Sequence, residues 1–134
     1  MRLLWLMLRF LYNYSLAILW GIIMLLLMGL PSSNLPNTNY FEGFDKLAHC
    51  GFFFVFTTLL LRGGILQGKG RGSKIKTFII VLLITSALAF GTEAIQLYFS
   101  FGRMADWWDI FADYMGIGMA LLSYLLLHQK KQGY

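Results

Sequence analysis

Residues 101–127 read FGRMADWWDIFADYMGIGMALLSYLLL. The stretch begins like a charged loop and ends like the interior of a lipid bilayer. Asp106, Asp109 and Asp113 stand on the threshold of an apolar helix, where an unpartnered carboxylate is costly. Their spacing of i, i+3 and i+7 gives one stripe, provided that the helix starts early enough to include Asp106. A charged stripe at that place needs something to face, and the other charges of the chain indicate what it is.

The chain has 134 residues, of which 58% are hydrophobic and only 13% charged; a soluble domain carries about 25% charged residues. So short a chain cannot hide that much apolar surface in a water-soluble core, and lipid must be its solvent. A membrane span needs roughly 17 to 25 mostly apolar residues. Such runs occur at about 11–30, 45–61, 77–99 and 110–127. The first ends at LPSSNLPN, where Pro31, Pro36 and the asparagines break the helix. It has a basic start, but its length and the poor cleavage site in LMGLPSS predict an uncleaved span rather than a secretory leader. The expected fold is an all-α integral membrane protein, one domain over 1–134, built as a four-transmembrane-helix bundle.

Eleven Lys and Arg against six Asp and Glu give a net charge of +5. The bases are scattered among apolar segments, which argues against nucleic acid and makes them reporters of topology. Arg2 and Arg9 precede the first span; Arg62, Lys69, Arg71, Lys74 and Lys76 lie in RGGILQGKGRGSKIK between the second and third; Lys130 and Lys131 follow the fourth. Only Lys46 and Arg103 fall on the other side. Excess Lys and Arg in short loops marks the cytoplasmic face, so both termini are expected in the cytoplasm. The single cysteine, Cys50, excludes an intrachain disulfide.

On that topology Glu42, Asp45, Glu93, Asp106, Asp109 and Asp113 all lie in the outer half. At 1.5 Å per residue, Glu93 sits about 9 Å below Phe99, Asp113 about 6 Å below Asp109, and His49 about 6 Å below Asp45. Three spans thus bring polar groups to one shallow depth. Glu93 and Gln96 are i, i+3 and share a face; Asp45 and His49 are i, i+4. Ala112, Gly116 and Ala120 form a small-xxx-small ridge that lets a neighbouring helix come close. Asp45, Glu93, Asp106, Asp109 and Asp113 together with Lys46 and Arg103 would carry −3 if fully ionised with His49 neutral. Crowded carboxylates of low dielectric surroundings cannot all stay charged and uncompensated. Some hold protons, or a cation or a basic ligand group sits among them.

Simpler roles stand beside these. Lys46 can snorkel to the surface, Asp106 can cap the fourth helix, and Trp107 and Trp108 belong to an interfacial aromatic belt. His49 can be a satisfied core histidine, Arg103 a brace on Asp106 or Asp109, and Met24, Met28 and Met115 filler against lipid or core. His128, among Gln129, Lys130 and Lys131, carries no role. Glu93 and Asp113, each within a span, resist such explanations best.

DKLAHCGFF at 45–53, EAIQ at 93–96 and GRMADWWDIFADYMGIGMA at 102–120 resemble the VanZ-like family of small bacterial membrane proteins. Asp45, Lys46 and His49 match its first motif, Glu93 and Gln96 its second, and Gly102, Arg103, Asp109 and Gly116 its third. Asp113 stands where the family usually has Asn, and Ala120 where Gly is common. The resemblance covers about residues 40–127. It implies a multi-pass protein of the bacterial cytoplasmic membrane, and the founding member is associated with low-level resistance to teicoplanin.

The expected function is an outward-facing acidic pocket of Asp45, Lys46, His49, Glu93, Gln96, Arg103, Asp109 and Asp113. It would bind an envelope lipid headgroup, a peptide or a glycopeptide antibiotic, with membrane lipids as surroundings, and contribute to envelope or antibiotic tolerance. One alternative is a membrane-embedded, metal-assisted hydrolase or transferase acting on a lipid-linked substrate, in which the carboxylates, His49 and Arg103 hold a divalent cation. HExxH, serine-nucleophile and phosphate-loop motifs are missing from the sequence. A small proton-coupled transporter is the second alternative, although transporter sites lie near the midplane between repeats and this chain has no internal repeat. The sequence assigns no catalytic residue, cofactor or metal.

Overall fold

A computed structural model describes residues 1–30, 43–99 and 104–127. They form four helices and, among the described residues, no strand: α1 (Arg2–Gly29), α2 (Phe44–Gln67), α3 (Lys74–Phe99) and α4 (Trp107–Leu127). All four are long and apolar enough to cross a membrane. The spread of exposed Leu, Ile, Phe and Trp over every helix fits that reading, because lipid is as good a solvent for them as a core. The breaks at Pro31 and Pro36 lie outside the described residues.

The helices outrun the apolar segments expected from sequence, chiefly at the end that carries the bases. The stretch 62–76 was expected to be a loop, but α2 continues to Gln67 and α3 starts at Lys74. Gly63 and Gly64 both lie within the helix. A Cβ at Gly63 would come within 2.5 Å of the Tyr14 ring, and one at Gly64 within 2.8 Å of Thr77 Cγ2. These glycines admit neighbouring side chains instead of ending the helix. The chain reverses over the next few residues, where Gly68 N–H bonds Gly64 O at 3.0 Å and Gly70 N–H bonds Ile65 O at 3.0 Å.

Helix α2 packs most extensively on α4 and next on α1, and α3 touches all three others. Among the described residues α1 and α4 do not meet. Met24, Phe53, Ala89 and Ile117 fill the centre. Met28 is also buried, whereas Met115 faces outward. The buried hydroxyls of Thr57, Thr85 and Thr92 donate to carbonyls of their own helices, at 2.6, 2.8 and 2.9 Å. A threonine satisfied this way needs no water, so it fits an interior without any.

Candidate functional site

The site begins with the approach of α2 to α4. Ala112, Gly116 and Ala120 are buried along one ridge of α4, as their spacing predicts. A Cβ at Gly116 would collide with the Cys50 carbonyl oxygen and lie 2.9 Å from the Phe54 amide nitrogen. The two backbones therefore touch at Gly116, and no other residue type fits without moving one of them. One turn away from this contact, Asp113 meets His49, the residue before Cys50. His49 Nδ1 and Asp113 Oδ1 are 2.9 Å apart, with side-chain exposures of 3% and 0%. A carboxylate only accepts, so when Asp113 is ionised it is Nδ1 that donates across this contact, and when Asp113 is protonated the roles reverse.

A second layer lies nearer the surface. Lys46 Nζ is 3.1 Å from Asp106 Oδ2 and 3.4 Å from Asp109 Oδ1. His49 Nε2 lies 3.9 Å from the other Asp109 oxygen. Asp106 caps α4: its Oδ1 accepts the Trp108 N–H at 3.0 Å and its carbonyl accepts the Asp109 N–H at 3.0 Å. The Trp108 N–H first, and then Lys46, holds the Asp106 carboxyl below its ordinary range. Trp107 and Trp108 are exposed beside this cap.

Helix α3 joins through Glu93, whose Oε2 accepts the backbone N–H of Asp106 at 3.1 Å. This bond was illegible in the sequence, because its donor is the backbone of a connecting segment. Glu93 Oε1 and Asp113 Oδ2 are buried with no hydrogen-bond partner. His49, Glu93 and Asp113, one from each of three helices, bring one potential ligand atom apiece to within 4.8 Å of one another. Asp45, His49 and Asp109 do the same, although Asp45 is exposed.

Six of the expected residues thus cluster: Asp45, Lys46, His49, Glu93, Asp109 and Asp113. Gln96 shares the face of Glu93 and is buried, but its amide donates to the Met28 carbonyl of α1 at 3.0 Å. That donor is committed to the joint between α3 and α1. Arg103 lies outside the described residues. Sequence reasoning gave α1 no part in the polar contacts, yet Trp20 Nε1 donates to Phe52 O at 3.1 Å. A tryptophan in mid-span needs such a partner for its N–H, and that was the available signal.

A cleft of about 230 Å³ runs between α3 and α4 beside the cluster. Phe90, Leu97, Trp107 and Ile110 give it apolar walls, and Glu93 and Asp106 give it carboxylates. Among the described residues five acids converge on this end, against Lys46 and His49. With both bases protonated the described cluster still has an excess of negative charge, which protons, a cation or a basic ligand group would offset. Compared with protein-family models, with curated proteins and with solved structures, the chain matches none.

Proposed function

We propose that the chain is a VanZ-like, multi-pass protein of the bacterial cytoplasmic membrane with both termini in the cytoplasm. Its acidic end faces outward and holds the polar head of an envelope ligand: a lipid headgroup, a peptide or a glycopeptide antibiotic. Binding there contributes to envelope or low-level antibiotic tolerance. The observation that carries this reading is the convergence of Asp45, His49, Glu93, Asp109 and Asp113 from three helices at one end of the bundle. The cleft between α3 and α4 supports it, since apolar walls beside carboxylates suit an amphiphile with a cationic head.

The bases support the orientation. Arg2, Arg9, Arg62, Lys69, Arg71, Lys74 and Lys76 all belong to the opposite end of the helices, as the excess of positive charge on cytoplasmic loops requires. The family assignment rests on the three motifs; of their described members His49, Glu93, Gln96, Asp109 and Gly116 are buried, Lys46 is half-buried and Asp45 is exposed. A transporter fits less well, because the acids lie towards one end of their helices rather than near the middle.

Expression in a sensitive host tests the reading. The wild-type chain should raise tolerance to teicoplanin or to envelope stress, and Glu93→Gln and Asp109→Asn, at equal membrane levels, should abolish the gain. Identical phenotypes for empty vector, wild type and both variants would rule it out.

A further inference from the structure

We propose that His49, Glu93 and Asp113 form a buried binding site for one divalent transition-metal ion of the Zn²⁺ class. Each helix of the α2–α3–α4 group supplies one ligand, and the potential ligand atoms already lie within 4.8 Å of one another. All three side chains are buried, with residue exposures of 3%, 5% and 0%. Two of the three carry a buried oxygen without a partner, Glu93 Oε1 and Asp113 Oδ2. A buried carboxylate oxygen with nothing to accept is expensive, and a shared cation would remove that cost for both acids at once. Lys46 does not serve, because its ammonium is engaged at the rim by Asp106 and Asp109.

The overlapping set of Asp45, His49 and Asp109 is the weaker candidate. Asp45 is exposed, and Lys46 already neutralises Asp109 from 3.4 Å. The donors of the inner set also indicate the ion. One imidazole nitrogen with two carboxylates suits Zn²⁺, Mn²⁺ or Fe²⁺, whereas Mg²⁺ and Ca²⁺ prefer oxygen throughout. Three protein ligands leave a coordination position for a further group, as in open zinc sites. This inference is independent of which envelope ligand binds outside.

The test uses the full chain purified in mild detergent without chelators. Metal analysis should find stoichiometric metal, and Zn²⁺ added after chelator treatment should raise the thermal midpoint. Co²⁺ should give visible absorption bands of a nitrogen- and oxygen-ligated ion. His49→Gln and Glu93→Gln should each weaken Zn²⁺ binding by at least roughly tenfold and remove the shift, while Asp109→Asn keeps both. If the wild type takes up no Zn²⁺ and shows no shift, or if both Gln variants respond as the wild type does, the proposal is overturned and the two free oxygens carry protons instead. Asp109→Asn separates this from the tolerance reading, because that variant should keep the metal and lose the phenotype.

Discussion

The two ends of the bundle handle charge in opposite ways. At the basic end, Arg62, Lys69, Arg71 and Lys76 are exposed, whereas Arg9 and Lys74 reach backbone oxygens. Arg9 donates to the Gln67 carbonyl at 3.1 Å and Lys74 to the Leu125 carbonyl at 2.7 Å, at the last turns of α2 and α4. Those carbonyls have no partner within the helix, and the negative end of the helix dipole favours a cation there. At the acidic end, where α2 and α4 begin, Asp45 and Asp109 lie in first turns and Asp106 is a cap. The dipole favours them too, but it does not explain Glu93 or Asp113. Glu93 sits near the C-terminal end of its helix and Asp113 more than a turn inside α4. Helix electrostatics therefore accounts for where Arg9 and Lys74 reach and for the rim of the acidic end. The buried core of the acidic end is left over, and that remainder suggests a site.

The contrast breaks most completely at Gly116, since the acidic core exists only while α2 and α4 touch. Gly116→Leu should prevent recovery of a monodisperse folded protein, and Gly116→Ala should cost about 1–3 kcal/mol or more by overpacking. Gly118 is the control: a Cβ there meets nothing within 4 Å. Gly118→Ala should be neutral or stabilising by up to about 1 kcal/mol. Thermal unfolding in detergent measures both, and equal effects at the two glycines would show that the backbone contact does not hold the site together.

The next effect compares one charge from each end. Asp113→Ala leaves the buried His49 ring without its partner and should destabilise by about 1–3 kcal/mol. Lys76→Ala, at an exposed position, should stay within about 0.5 kcal/mol of wild type. A smaller loss belongs to the basic end's own polar joint, where Asn13 Nδ2 donates to Gln67 Oε1 at 2.6 Å. Asn13→Ala should cost about 1 kcal/mol, the usual scale for side-chain hydrogen bonds between spans. Chemical or thermal unfolding of the three variants ranks them; a penalty at Lys76 equal to that at Asp113 would remove the distinction between the ends.

The acidic core was largely legible in the sequence because intramembrane carboxylates are rare and their i, i+3 and i, i+4 spacings fix a face. The ridge of Ala112, Gly116 and Ala120 was legible for the same reason. Depth along a helix follows from residue counting, so His49, Glu93, Asp109 and Asp113 could be placed at one level before any coordinates. Which partner each one takes could not be read, since that depends on helix rotation. Gln96 shares a face with Glu93, yet its donor turns to the Met28 carbonyl. The continuation of α2 beyond residue 61 could not be read for a different reason. Tyr14 and Thr77 occupy the space that Gly63 and Gly64 leave. Close packing of that kind has no local signature.

The smallest effect concerns the rim, where the contrast between ends becomes a question of pH. Asp106 is half-exposed, bonded to Lys46 and to the Trp108 N–H, and its carboxyl is held below the ordinary range. A depressed folded value means that the ionised form stabilises the fold. The contribution is complete above the unfolded carboxylate value of about 3.9 and disappears as the pH falls through the lower folded value. Wild type should therefore lose more stability than Asp106→Asn as the pH is taken below about 4, and the two should run parallel above it. The buried acids are the same in both proteins, so the difference between their thermal midpoints isolates Asp106. High salt should shrink that difference, because the group and its lysine are open to solvent. Parallel curves through the acid range would mean that the cap works through its neutral hydrogen bonds alone, and that charge at the rim contributes nothing to holding α4 against α2.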